Sequence, residues 1–92
     1  MQPVSSVTAF LSRCFTDPDL DSPARTILAD ALTATERRVL ELRFHLHDPA
    51  ERLRQLREET SESWSAARFD RVEELALTRL RRALAQRGLL QA

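Results

Sequence analysis

Lysine and tyrosine are absent from this chain, and glycine, cysteine and tryptophan occur once each. A lone cysteine, Cys14, excludes an internal disulfide framework and a CxxC metal pair, and it fits a reducing compartment. One glycine leaves no glycine-rich phosphate loop. Charge of either sign is not in excess, because fourteen basic residues face fourteen acids. That balance argues against a binder relying on phosphate attraction alone, so any nucleic-acid contact has to arise locally. The N-terminus lacks a basic segment, and its apolar residues are interrupted by Ser and Thr. Neither a signal peptide nor a membrane span is expected, and the expected location is cytoplasmic. No nucleophile stands with a base, so neither catalysis nor a cofactor is expected.

What is present favours helices. Ninety-two residues, 42% of them hydrophobic, suffice for one modest core. Leu, Ala, Arg and Glu dominate while β-branched residues are sparse, which predicts an all-α chain. Every basic residue is Arg, whose planar guanidinium suits carboxylate and phosphate partners. Residues 1–32 carry two Arg against four acids and residues 33–92 twelve against ten, so positive charge is displaced toward the C-terminal part.

Apolar spacing then divides the chain. Val7, Phe10, Leu11, Cys14 and Phe15 recur at helical spacing behind Ser5 and Ser6. The acidic, proline-containing T-D-P-D-L-D-S-P that follows reads as a solvated turn. Its alternating Asp17, Asp19 and Asp21 lack the Gly and the final Glu of a calcium loop. Ser22 and Pro23 fit a cap and a first helical position, with Ile27, Leu28, Ala31 and Leu32 as a buried stripe. Thr33 and Glu36 have the spacing of a capping box, and Val39, Leu40, Leu42, Phe44 and Leu46 form one broad apolar stripe behind them. Asp48 and Pro49 open a further helix carrying Ala50, Leu53 and Leu56. The polar run E-E-T-S-E-S breaks its periodicity. From Trp64 a long final helix is predicted through Phe69, Val72, Leu75, Ala76, Leu80, Ala83 and Leu84, with Gly88 as its left-handed cap. The expected architecture is a small bundle of about five helices. A short helix and turn occupy residues 1–21, the main helical part residues 22–92, and together they make one compact domain.

Two stretches resemble region four of bacterial sigma factors. L-T-A-T-E-R-R-V-L-E-L-R-F-H-L, Leu32 to Leu46, follows that family's L-x-x-R-E-x-x-V-L-x-L-R-F-x-L. R-F-D-R-V-E-E-L-A-L-T-R-L-R, Arg68 to Arg81, matches its R-V-R-Q-I-E-x-x-A-L-x-x-L-R without gaps. Arg68, Glu73, Ala76, Leu77, Leu80 and Arg81 coincide, and the likeness spans roughly residues 26–84. It implies a C-terminal helix-turn-helix whose second helix meets promoter DNA through Ser65, Ala66, Ala67, Arg68, Asp70 and Arg71. It also implies that Arg37, Arg38 and Arg43 flank DNA and the β flap of RNA polymerase.

Departures from the family narrow that expectation. Ala66 and Ala67 stand where base-reading Arg and Glu are usual, Asp70 replaces Arg and Arg71 replaces Gln, so the family's preference for the minus-35 element does not transfer. Arg57 stands near a position where the family often has glycine. The first expectation is a small bacterial transcription regulator touching double-stranded promoter DNA, RNA polymerase core, or both. The alternative is an interaction module of the same fold that binds the polymerase flap, a sigma or anti-sigma protein, or a second copy of itself. For single arginines a plainer role also exists in pairs such as Glu36 with Arg37 and Arg38, or Arg54 with Glu58. Trp64 and Phe69 read as core. His45 and His47 lie on different helix faces and form no zinc set.

Overall fold

A computed structural model describes residues 2–17 and 22–90, Ser22 by its backbone alone. The acidic turn expected after the first helix, with Asp19 and Asp21, falls at residues outside the described ones. Five helices follow in order: α1 (Val7–Thr16), α2 (Ser22–Ala31), α3 (Ala34–His45), α4 (Pro49–Thr60) and α5 (Ala66–Gln86). The fold is a small all-α bundle. Among the described residues, no helix is long and apolar enough to cross a membrane, and no His, Cys, Asp and Glu side chains gather as a metal site.

Most helices start on a side chain that accepts a backbone N–H left free in the first turn. Ser6 Oγ accepts from Ala9 at 3.1 Å, and Asp48 Oδ1 accepts from Ala50 at 3.0 Å with Pro49 in the first turn. Thr33 and Glu36 form the full capping box, the Glu36 N–H donating to Thr33 Oγ1 at 3.1 Å and the Thr33 N–H to Glu36 Oε1 at 2.8 Å. Helix α2 departs slightly from expectation, because Ser22 is itself helical and does not stand before the helix. Pro23 fits the first turn in either register.

The apolar side chains form two clusters and not one. The larger joins Val7, Phe10 and Leu11 of α1 to Ala24, Ile27 and Leu28 of α2, and both to Leu40 of α3 and Ala76, Leu80 and Leu84 of α5. The smaller joins Val39 and Leu42 of α3 to Leu56 of α4, Trp64, and Phe69 at the start of α5. Helix α3 therefore lies between them and buries residues in two directions, where its sequence suggested one stripe. Phe44 departs from that stripe: it is 36% exposed. It stacks beside Phe15 and His45, with ring centroids 5.7 and 5.2 Å away, at the surface between α1 and the end of α3. The N-terminal half of α5 packs with α3 and α4, while its C-terminal half is mounted on α1 and α2.

Helix α4 also runs further than its sequence suggested, through Glu58 and Glu59 to Thr60. Among the interactions at this polar end, Arg54 pairs with Glu58 at 2.6 Å, and Thr60 Oγ1 donates to the Leu56 carbonyl at 2.7 Å. Ser61 then ends the helix in the left-handed region, at φ 57°.

Gly88 closes α5 at φ 69°. Its N–H donates to Ala85 O at 3.0 Å, and that of Leu89 to Leu84 O at 2.9 Å, the paired bonds of a Schellman motif. The next residues return to the N-terminal segment, where the Val4 N–H donates to Leu89 O at 2.7 Å. A Cβ at position 88 would meet nothing within 4 Å, so any cost of adding one is conformational. Gly88→Ala is expected to lower stability by about 1 kcal/mol, the left-handed penalty offset in part by a stiffer unfolded chain. Urea unfolding would check this, and an unchanged midpoint would contradict it.

Candidate nucleic-acid interface

The start of α5 is set by a turn held by several side-chain hydrogen bonds. Trp64 is buried at 1% exposure in the smaller cluster. Its indole N–H donates to Thr60 Oγ1 at 3.0 Å, and its carbonyl accepts from Arg57 Nη2 at 2.7 Å and Nε at 3.2 Å. Thr60 Oγ1 also accepts from the Glu62 N–H at 3.3 Å. Arg57, near the family's usual glycine, thus clamps the turn by its side chain, while the left-handed residue is Ser61. Arg52 does similar work one turn earlier: it is buried, donates from Nε to Leu46 O at 2.6 Å and lies 6.0 Å from the Phe69 ring centre.

Ser65 occupies the helix-start position, its Oγ accepting from the Arg68 N–H at 3.1 Å. Ala66 and Ala67 follow in the exposed first turn. Arg68 folds back over this turn. Its guanidinium carbon lies 4.0 Å from the Trp64 ring centre, Nη1 donates to Ser63 O at 2.7 Å, and Nη2 lies 3.4 Å from Glu62. Asp70 and Arg71 are exposed, and Arg71 carries no ion pair among the described residues. Of the two arginines expected to read bases, one is engaged by the turn and the other is open.

The α3 arginines are likewise engaged. Arg37 lies 3.6 Å from Glu41, and Arg38 Nε donates to both carboxylate oxygens of Glu59 at 2.9 and 3.1 Å. Arg43 reaches Glu73 of α5 at 3.1 Å. Glu36, expected beside Arg37 and Arg38, instead takes Arg79 of α5 at 3.0 Å. Exposed pairs of this type are each worth about 0–1 kcal/mol, so a phosphate or a partner carboxylate can compete for the guanidinium. On the outer face of α4, the hydrogen bond from Arg54 holds the Glu51 carboxyl below the usual carboxylate range.

Three of the expected residues come together: Arg43, Ala66 and Asp70 line one depression of about 300 Å³ with Leu53 and Phe69. The Arg43–Glu73 pair separates it from a second depression of about 350 Å³, lined by Leu11, Phe15, Leu40, Phe44 and Leu77. Arg37, Arg38, Ser65 and Ala67 line neither. Sequence reasoning passed over Arg52 and Thr60 and noted Arg57 only as a departure from the family, yet all three help to orient the start of α5. The missed signal was arginine recurring on a helix with the thin apolar stripe of Ala50, Leu53 and Leu56. Scans of family models and searches of curated proteins and of solved structures each returned no match for this chain.

Proposed function

We propose that this protein is a small, non-enzymatic regulator of bacterial transcription. In this reading α4, the turn and α5 act as a cytoplasmic helix-turn-helix resembling sigma region four. One observation carries it. A buried Trp64, clamped by Thr60 and Arg57, fixes the first turn of α5 with Ser65, Ala66, Ala67 and Arg71 outward. A rigid helix start of this kind suits insertion into a groove, and Arg71 is the open guanidinium there. The small Ala66 and Ala67 leave room for contact with thymine methyl groups in place of long polar readers.

A second reading keeps the fold and replaces base reading with protein contact, to the polymerase flap, a sigma or anti-sigma protein, or a second copy. The pairing of Arg37, Arg38, Arg43 and Arg68 with acids favours it, as does Phe44 beside an apolar depression.

Fluorescence anisotropy with a promoter duplex and its scrambled counterpart separates the two. The first reading expects tighter binding to the promoter, with the preference lost in Arg71→Ala. Equal affinity for both duplexes, together with binding to RNA polymerase core that weakens in Phe44→Ser, selects the second.

A further inference from the structure

The far end of α5 gathers several arginines, of which Arg82 is left open by internal pairing and Arg79 and Arg87 are only partly engaged. Between Thr78 and Leu90 the sequence holds Arg79, Arg81, Arg82 and Arg87 and no acid. Arg79, Arg82 and Arg87 line one depression of about 310 Å³ with Gln86 and Asp30. Arg82 is exposed and without an ion pair among the described residues. Arg79 keeps 46% of its side chain exposed beyond its bond to Glu36. Arg87 approaches Asp30 only at 3.7 Å, and that carboxylate is itself 60% exposed.

The end of a helix ordinarily repels anions through its free carbonyls. Here several of the end carbonyls are occupied: Leu84 O and Ala85 O accept from Leu89 and Gly88, and Ala83 O accepts from Arg87 Nη1 at 3.2 Å. The depression therefore presents guanidinium groups with the opposing dipole partly covered.

We infer that this depression binds phosphate groups of the duplex DNA backbone, a site separate from the proposed base-reading start of α5. Extended, regularly spaced charge is the ligand property that the arrangement favours. Arg71 and Arg82 are eleven residues apart, nearly in line on the helix surface and about 16 Å apart along its axis. A backbone passing the start of α5 can thus meet the depression as well. The inference takes its ligand class from the DNA reading above, but needs no base selectivity.

The test measures anisotropy of a labelled mixed-sequence duplex across a salt series. Thermal melts establish that each variant is folded. Removing one phosphate contact reduces the slope of log affinity against log salt by about one. Arg82→Ala is expected to show that reduction. Arg81→Ala removes the same charge from a flank of α5 that does not line the depression, and is expected to retain the full slope. Equal slopes in the wild type and Arg82→Ala, equal losses in both variants, or no duplex binding would each overturn the site. Binding of polyglutamate in preference to the duplex would overturn it in favour of an acidic protein surface. A promoter preference lost while the Arg82 effect persists would remove the base-reading proposal and leave this one standing.

Discussion

Trp64→Ala is expected to lower stability by about 3–5 kcal/mol, and the thermal midpoint by on the order of 15–25 °C. The smaller cluster has few other buried side chains, Val39, Leu42, Leu56 and Phe69, and they come from three helices. Collapse around a vacated indole would require α3, α4 and α5 to move together. The substitution also strips Thr60 Oγ1 of a donor and Arg68 of the ring beneath it. It does not remove the bonds from Arg57 and Arg68 to the carbonyls of residues 64 and 63, because those acceptors belong to the backbone. A far-UV circular dichroism melt therefore weighs packing against arginine clamping. A fall of less than about 5 °C would assign the turn to the clamps. Trp64→Phe retains most of the volume and loses the N–H donor, so about 1 kcal/mol is expected for it.

The features legible in the sequence are those whose partners lie within a few residues. Ser6, Thr33 with Glu36, Asp48 and Gly88 each satisfy backbone groups of their own helix end, so spacing alone identifies them. Arg54 with Glu58 is of the same kind. The division of the core was not legible. Val39, Leu40 and Leu42 give one stripe by helical spacing, yet Leu40 meets α1, α2 and α5 while its neighbours meet α4 and Trp64. Which neighbour lies on each side is a property of chain topology, and Phe44 is left at the margin by the same topology.

The candidate site follows the same division. Ser65 as a helix start has its partner three residues away, yet apolar spacing placed that start at Trp64. The state of the arginines was not legible, because their partners come from other helices: Arg38 reaches Glu59 of α4, Arg43 reaches Glu73 of α5, and Arg79 reaches back to Glu36 of α3. A guanidinium on a long flexible stem can serve a neighbouring carboxylate, a turn carbonyl or a phosphate, and only the fold decides which. Pattern matching to a nucleic-acid-binding family counts all of them as available charge.

Arg79→Ala is expected to destabilise the protein more than the loss of an exposed charge would suggest, by about 2–3 kcal/mol, because it strands a buried acid. Glu36 is only 4% exposed; its Oε1 accepts from Arg79 and from the Thr33 N–H, while Oε2 has no hydrogen-bond partner in the described structure. Fully buried pairs lose about 3–5 kcal/mol when one member is removed. The smaller figure applies here because Arg79 is half exposed and its removal admits water. The diagnostic experiment adds Glu36→Gln to Arg79→Ala. Glutamine retains a carbonyl acceptor for the Thr33 N–H and carries no charge to strand, so the double variant should unfold at a higher temperature than Arg79→Ala alone. A single substitution that merely lost surface packing would gain nothing from the second. If the double variant instead melts at or below the single one, the buried charge is not what makes Arg79 necessary.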